Sequence, residues 1–190
     1  MIIGIVLAAG TSSRFGRTKQ LVELHGKPLV QHAVDAAAAA GLDEVVVVVG
    51  HDAERVRASL HLPPNARIVL NPNYEAGQST SLIAGLDAAG SDSEAAVVLP
   101  ADQPGVTPVH LQALVDAFRA GSSLVVRLRF RDAPGPALLS REIWDEARRL
   151  VGDTGAREII ESHPGWVKEV AVDSDVPDDV DRPSDLDRLR

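Results

Sequence analysis

Residues 10–19 (Gly10-Thr11-Ser12-Ser13-Arg14-Phe15-Gly16-Arg17-Thr18-Lys19) gather two glycines, four hydroxyls and three cations, and no acidic residue occurs before Glu23. Such a set suits an anion. Small residues let backbone N–H groups approach closely, while Arg14 and Lys19 can neutralise charge. The ligand that uses this set most fully is a polyphosphate. The spacing is not that of a Walker A loop, because Gly16 is followed by Arg17-Thr18-Lys19, and Gly10-Thr11-Ser12 breaks the dinucleotide pattern Gly-x-Gly-x-x-Gly.

Other residues with chemical potential lie further along. Asp102, in Leu99-Pro100-Ala101-Asp102-Gln103-Pro104, ends an apolar run. A carboxylate there can hold Mg²⁺, which in turn bridges phosphate oxygens. An aspartate close before a proline also starts turns, and taken alone it supports either reading. Asn71-Pro72-Asn73-Tyr74-Glu75-Ala76-Gly77-Gln78-Ser79-Thr80-Ser81-Leu82 places glycine and hydroxyls ahead of a helix. Its N-terminus would offer free N–H donors, or Ser79 or Ser81 would cap it. Gly152-Asp153-Thr154-Gly155-Ala156-Arg157 delivers Arg157 at a helix start, either to grip a phosphate or carboxylate or as a surface charge. In Asp179-Val180-Asp181 two carboxylates, two apart in extended chain, share one side. The histidines show no metal-ligand spacing.

These residues need a frame that brings them together. The apolar run that starts at Ile2 and leads straight into the glycine- and cation-bearing loop is suited to a buried parallel strand. Further strand-like runs fall at 45–49, 66–70, 95–99 and 124–126, with helical periodicity at 29–40, 53–60, 79–89 and 108–120. Thr107-Pro108 offers a hydroxyl cap and proline at the first helical position. Beyond Arg131 a short strand at 134–139, a helix at 141–150, a second helix near Ala156 and an edge strand at 167–172 follow. Strands alternating with helices predict right-handed crossovers and a mostly parallel sheet covered on both faces. The expected fold is a single three-layer α/β/α domain over 1–190 with a Rossmann-like sheet. Its ligand site would lie beyond the carboxyl ends of the strands, which is where residues 10–19 and Asp102 fall.

Composition narrows the function classes. A formal net charge of −8 argues against a nucleic-acid or membrane-surface binder, which would need a broad basic face. No cysteine is present, which removes disulfides, thiol catalysis and cysteine-ligated metal centres. With Met1 leading directly into strand residues and no apolar run near the length of a membrane helix, a cytoplasmic protein is expected. Aromatic residues make up only 3%, so the core must be built from Val, Leu, Ile and Ala.

Residues 7–19 (Leu7-Ala8-Ala9-Gly10 onward), followed by Gly26-Lys27-Pro28-Leu29, resemble the signature of MobA-like NTP transferases. Within that family the likeness is greatest to the MocA-type branch, which moves CMP from CTP to molybdopterin. Gly77, Ser81 and Leu82, then Ala101-Asp102-Gln103-Pro104, Gly152 to Arg157, and Asp179 to Leu186 match further segments in order. The resemblance implies the fold of nucleotide-diphospho-sugar transferases. It also implies an NTP held around Leu7, Ala8, Ala9 and Gly10, with Arg14 and Lys19 on the phosphates. The base would be read near Ala8, Ala9 and Ser81, and Mg²⁺ held by Asp102 with Asp181. Arg157 would stand on the acceptor side. Ala8-Ala9-Gly10 in place of Ala-Gly-Gly favours CTP over GTP. Two departures are Phe15 for methionine and Pro134-Gly135-Pro136 for Gly-His-Pro. Alternatives left open are another NTP or phosphate-bearing acceptor, an NAD(P)H-dependent reductase, and a cofactor-delivery protein that docks on a client molybdoenzyme.

Overall fold

The computed structural model describes residues 1–13 and 15–189. Its strands are β1 (Ile2–Ala8), β2 (Glu23–Leu24), β3 (Lys27–Pro28), β4 (Glu44–Val49), β5 (Ala66–Leu70), β6 (Ala95–Pro100), β7 (Val125–Arg129), β8 (Pro134–Ser140) and β9 (Val167–Ala171). The helices are α1 (Leu29–Ala39), α2 (Ala53–Ser59), α3 (Gln78–Asp87), α4 (Pro108–Arg119), α5 (Trp144–Ala147), α6 (Ala156–Ser162) and α7 (Asp185–Leu189). Seven strands form one sheet in the order β5-β4-β1-β6-β8-β7-β9, and only β8 runs against its neighbours. β2 and β3 make a separate antiparallel ribbon.

Valine-rich strands buried on both faces explain the layering. Along β4, Val45, Val47 and Val49 face a core with α1, α2 and α4, whereas Val46 and Val48 face α3, α5 and α6. Alternate residues of β1 divide the same way, Ile2 and Val6 on one side and Ile3 and Ile5 on the other. A sheet apolar on both faces must be covered twice, which is the three-layer arrangement expected from the chain. α4 starts as its residues dictate. Thr107 Oγ1 accepts from His110 N, His110 Nδ1 accepts from Thr107 N, and Pro108 sits at the first position.

Register sets the site. Ala8 pairs with Val49 and Leu7 with Pro100, so β1, β4 and β6 end level. The segments that leave them, from Gly10, Gly50 and Asp102, therefore emerge along one edge. One sequence expectation is corrected here. Instead of a helix over 141–150, a 3-10 turn (Arg141–Ile143) leads into the four-residue α5. The reason is packing. Trp144 is fully buried against the sheet, its indole Nε1 donating to Leu139 O, and this segment plugs the core rather than lying along it.

Candidate active site

The loop that leaves β1 is fastened by Ser12 and Gln20. Gln20, itself buried, donates from Nε2 to Gly10 O at 2.9 Å and accepts from Ser12 Oγ at 3.1 Å. The same Ser12 oxygen accepts from Lys19 N at 3.1 Å. Ser12 holds φ +55 and Gly16 φ +75, and Ser12 O accepts from Phe15 N at 2.9 Å and from Gly16 N at 3.2 Å. The turn after β4 clasps both ends of this loop: His51 N donates to Ala9 O at 3.1 Å, and Thr18 Oγ1 donates to Asp52 Oδ2 at 2.7 Å.

The loop delivers Lys19 to the middle of the sheet edge. Its Nζ lies 2.6 Å from Asp102 Oδ2 and 3.2 Å from Asp181 Oδ1, joining residues 83 and 162 positions away. Burial opposes the ammonium's charge, but Asp102 and then Asp181 outweigh it and raise its pKa above that of ordinary lysine. Lys19 therefore stays cationic across the neutral range. Asp181 is brought here by a returning C-terminal segment, anchored where Val180 N donates to Asp102 O at 2.9 Å and where Val180 is fully buried. Asp179 comes with it, held by Gln103 Nε2 at 2.7 Å. Burial, with the negative charges of Asp102 and Asp181 nearby, pushes its carboxyl above the ordinary aspartate value. Crowded hard oxygen donors of this kind fit a divalent cation such as Mg²⁺. Among the described residues no group of three or more potential ligands is preformed. Asp102 and Asp181 would accordingly share such an ion with water or phosphate oxygens.

A cavity of about 420 Å³ opens above these groups, lined by Leu7, Ala9, Gly10, Lys19, Ser81 and Asp102 among others. Ala8 does not line it; its side chain packs on the opposite face of the sheet, leaving only its backbone toward this edge. Ser81 is positioned by Asn71, whose buried Nδ2 donates to Ser81 Oγ at 3.0 Å and to Thr80 Oγ1 at 2.8 Å. Neither Ser79 nor Ser81 caps α3; its cap position is Gly77. A second cavity, about 660 Å³, adjoins the first through Leu7, Gln78, Pro100 and Asp153, which line both. Arg157 lines it, with its guanidinium paired to Glu161 at 2.6 Å and its side chain largely in solvent. Pro134-Gly135-Pro136 forms another wall. Arg14 lies outside the described residues.

Lys19, Asp102 and Asp181 thus converge, with Leu7, Ala9, Gly10 and Ser81 around them, while Arg157 stands apart in the second cavity. Tyr74, Gln78 and Asp153, which line the first cavity, fall within the segments 71–82 and 152–157 but carry no individual assignment from the sequence, and Gln20 and Asp52 lie outside every segment assigned from it. Gln20 carried a usable signal, being a long polar residue directly after Lys19 that the loop could fold against. A profile of the MobA-like NTP transferase domain matches residues 4–167. The chain belongs to that family. Similar to it is the nicotine blue oxidoreductase of Paenarthrobacter nicotinovorans, 31% identical, with 99% of this chain and 96% of that protein aligned. The purine catabolism protein PucB of Bacillus subtilis (strain 168) is 33% identical, over 100% and 96%. Among solved structures, Rv0371c of Mycobacterium tuberculosis H37Rv superposes with a TM-score of 0.88 at 33% identity, over 99% of this chain and 96% of that one. A complex of Rv0371c with manganese gives 0.84 at 32%, over 99% and 97%. As a MobA-like NTP transferase, the chain is an enzyme of the nucleotidyl-transfer class, built on the sheet expected from its sequence.

Proposed function

We propose that this MobA-like NTP transferase moves CMP from CTP to the terminal phosphate of molybdopterin, with release of pyrophosphate. The observation that carries the reading is the ammonium of Lys19 set between Asp102 and Asp181 at the floor of a glycine- and hydroxyl-walled cavity. In the transfer, an oxygen of the acceptor phosphate bonds to the α-phosphorus. The bond from that phosphorus to the β-bridging oxygen breaks, and its electron pair leaves with pyrophosphate. The nucleophile is already ionised, so no general base is needed. The protein's task is in-line positioning and charge stabilisation. Lys19 supplies a fixed positive charge, and residues 10–13 supply backbone N–H groups. Mg²⁺ held by Asp102 and Asp181 would neutralise triphosphate charge. The manganese complex of Rv0371c supports a divalent ion in this family.

CTP is favoured by Ala9, a buried methyl-bearing residue in the cavity wall where glycine would leave room for a larger base. The adjoining cavity beside Gly155 and Arg157 has space for the acceptor. The similarity to nicotine blue oxidoreductase supports a second reading, an NAD(P)H-dependent reductase. A pyrophosphate-release assay with each NTP, Mg²⁺ and acceptors including molybdopterin separates them. Release with CTP and molybdopterin is expected. Absence of release with every pairing, together with NAD(P)H oxidation, would establish the reductase instead.

A further inference from the structure

Asp52 occupies the N-cap of α2 yet does not cap it. Its carbonyl begins the helix, accepting from Arg55 N and Val56 N, but its carboxylate makes no hydrogen bond to the N–H groups of its own helix. Aspartate at this position ordinarily does so, from extended backbone. Here the residue instead adopts the left-handed conformation, φ +55 and ψ +32. The carboxylate is turned to Thr18 Oγ1 at 2.7 Å and to the exposed Arg55 at 2.6 Å on the same oxygen. A surface pair with Arg55 contributes little and gives no reason for a strained backbone. Thr18 immediately precedes Lys19, and the neighbouring His51 N fastens the other end of the same loop through Ala9 O. Gly50 fixes where this turn can sit, since a Cβ there would stand 2.9 Å from Ala9 Cβ and 2.6 Å from Tyr74 Cβ. Strain kept at such a point, and a cap forgone, mark a functional constraint.

We infer that Asp52 is a positioning residue for Lys19: it holds Thr18 so that the ammonium reaches Asp102 and Asp181. The inference rests on the transferase reading for its kinetic consequence and on geometry alone for its structural one. Asp52→Gly separates the roles, because glycine tolerates φ +55 and replaces an N-cap aspartate at small cost. Asp52→Gly is expected to unfold within about 3 °C of wild type, while kcat for pyrophosphate release falls about ten- to a hundredfold with the acceptor KM unchanged. Thr18→Val should reproduce that loss, the double variant should be no worse than either, and Asp52→Asn, which keeps an acceptor for Thr18, should recover most of the rate. Wild-type kcat in Asp52→Gly, or losses that simply multiply in the double variant, would overturn the inference. The chain has three lysines, so the ¹³Cε signal of Lys19 in labelled protein gives a readout that needs no turnover. It should shift in Asp52→Gly and Thr18→Val and return in Asp52→Asn. An unmoved signal defeats the positioning role whatever reaction is catalysed, whereas a shifted signal in a protein that releases no pyrophosphate defeats the transferase reading alone.

Discussion

Lys19 sets one ammonium against two carboxylates, 2.6 Å from Asp102 and 3.2 Å from Asp181. Its charge is present below the ordinary lysine pKa and would be lost only as pH rises through the raised folded value, so neutral solutions keep it intact. Lys19→Ala and Asp102→Asn should retain wild-type circular dichroism while pyrophosphate release falls about 10²–10³-fold, the usual loss for one electrostatic group. Near-normal turnover in either would remove these residues from the centre. Asp179 supplies a prediction of opposite sign. Its folded carboxyl titrates above the unfolded one, so the native state holds the extra proton and stability falls as pH rises through that window. Asp179→Asn should therefore raise Tm near pH 7, with the gain shrinking toward zero at about pH 3, below the unfolded aspartate value. Melting curves of both proteins across that range check it, and a gain independent of pH would exclude the carboxylate as its source.

Between residues and fold stand the loops that α3 and α6 bring into contact. Gly77 has φ +114, and a Cβ on it would lie 2.1 Å from the backbone carbon of Gly152 and 2.7 Å from Asp153 N. Ser79 N donates to Gly152 O at 3.1 Å across the same contact, next to Asp153, which lines both cavities. Gly77→Ala should then destabilise by more than about 3 kcal/mol, read from denaturant midpoints, and raise the acceptor KM. Gly152→Ala meets nothing within 4 Å and bears only the cost of φ +65, about 1–2 kcal/mol. Equal effects of the two substitutions would show that the contact carries no weight. The sequence announces a turn at each place, since Gly-Gln-Ser and Gly-Asp-Thr-Gly are plain punctuation. It does not announce that the two turns touch, because that depends on how α3 and α6 lie on the sheet.

The molecule as a whole is a sheet with two cores and a third, smaller one that the C-terminal segment completes. Phe15, Val22, Leu24 and Leu29 pack with Val180 and Leu186, so the segment carrying Asp179 and Asp181 is held by burial although it lies beyond the residues matched by the family profile. Leu186→Ala should cost about 2–5 kcal/mol and lower pyrophosphate release through Asp181; lost stability with unaltered release would detach the third core from the centre. Layers, the mostly parallel sheet and the loop beyond β1 were legible in the chain, because apolar periodicity and glycine placement are local and need no partner to be read. Lys19 and Asp102 were legible as chemistry for the same reason, the one closing the glycine- and hydroxyl-rich loop after the first strand and the other following an apolar run. What joins them was not. The Thr18–Asp52 tie and the approach of Asp179 and Asp181 to Asp102 arise from contacts between residues tens of positions apart, whose geometry is set by register and by side chains packing across layers. Residue types and local periodicity decide what can be offered at a sheet edge; closure of the three-dimensional packing decides which of those offerings meet.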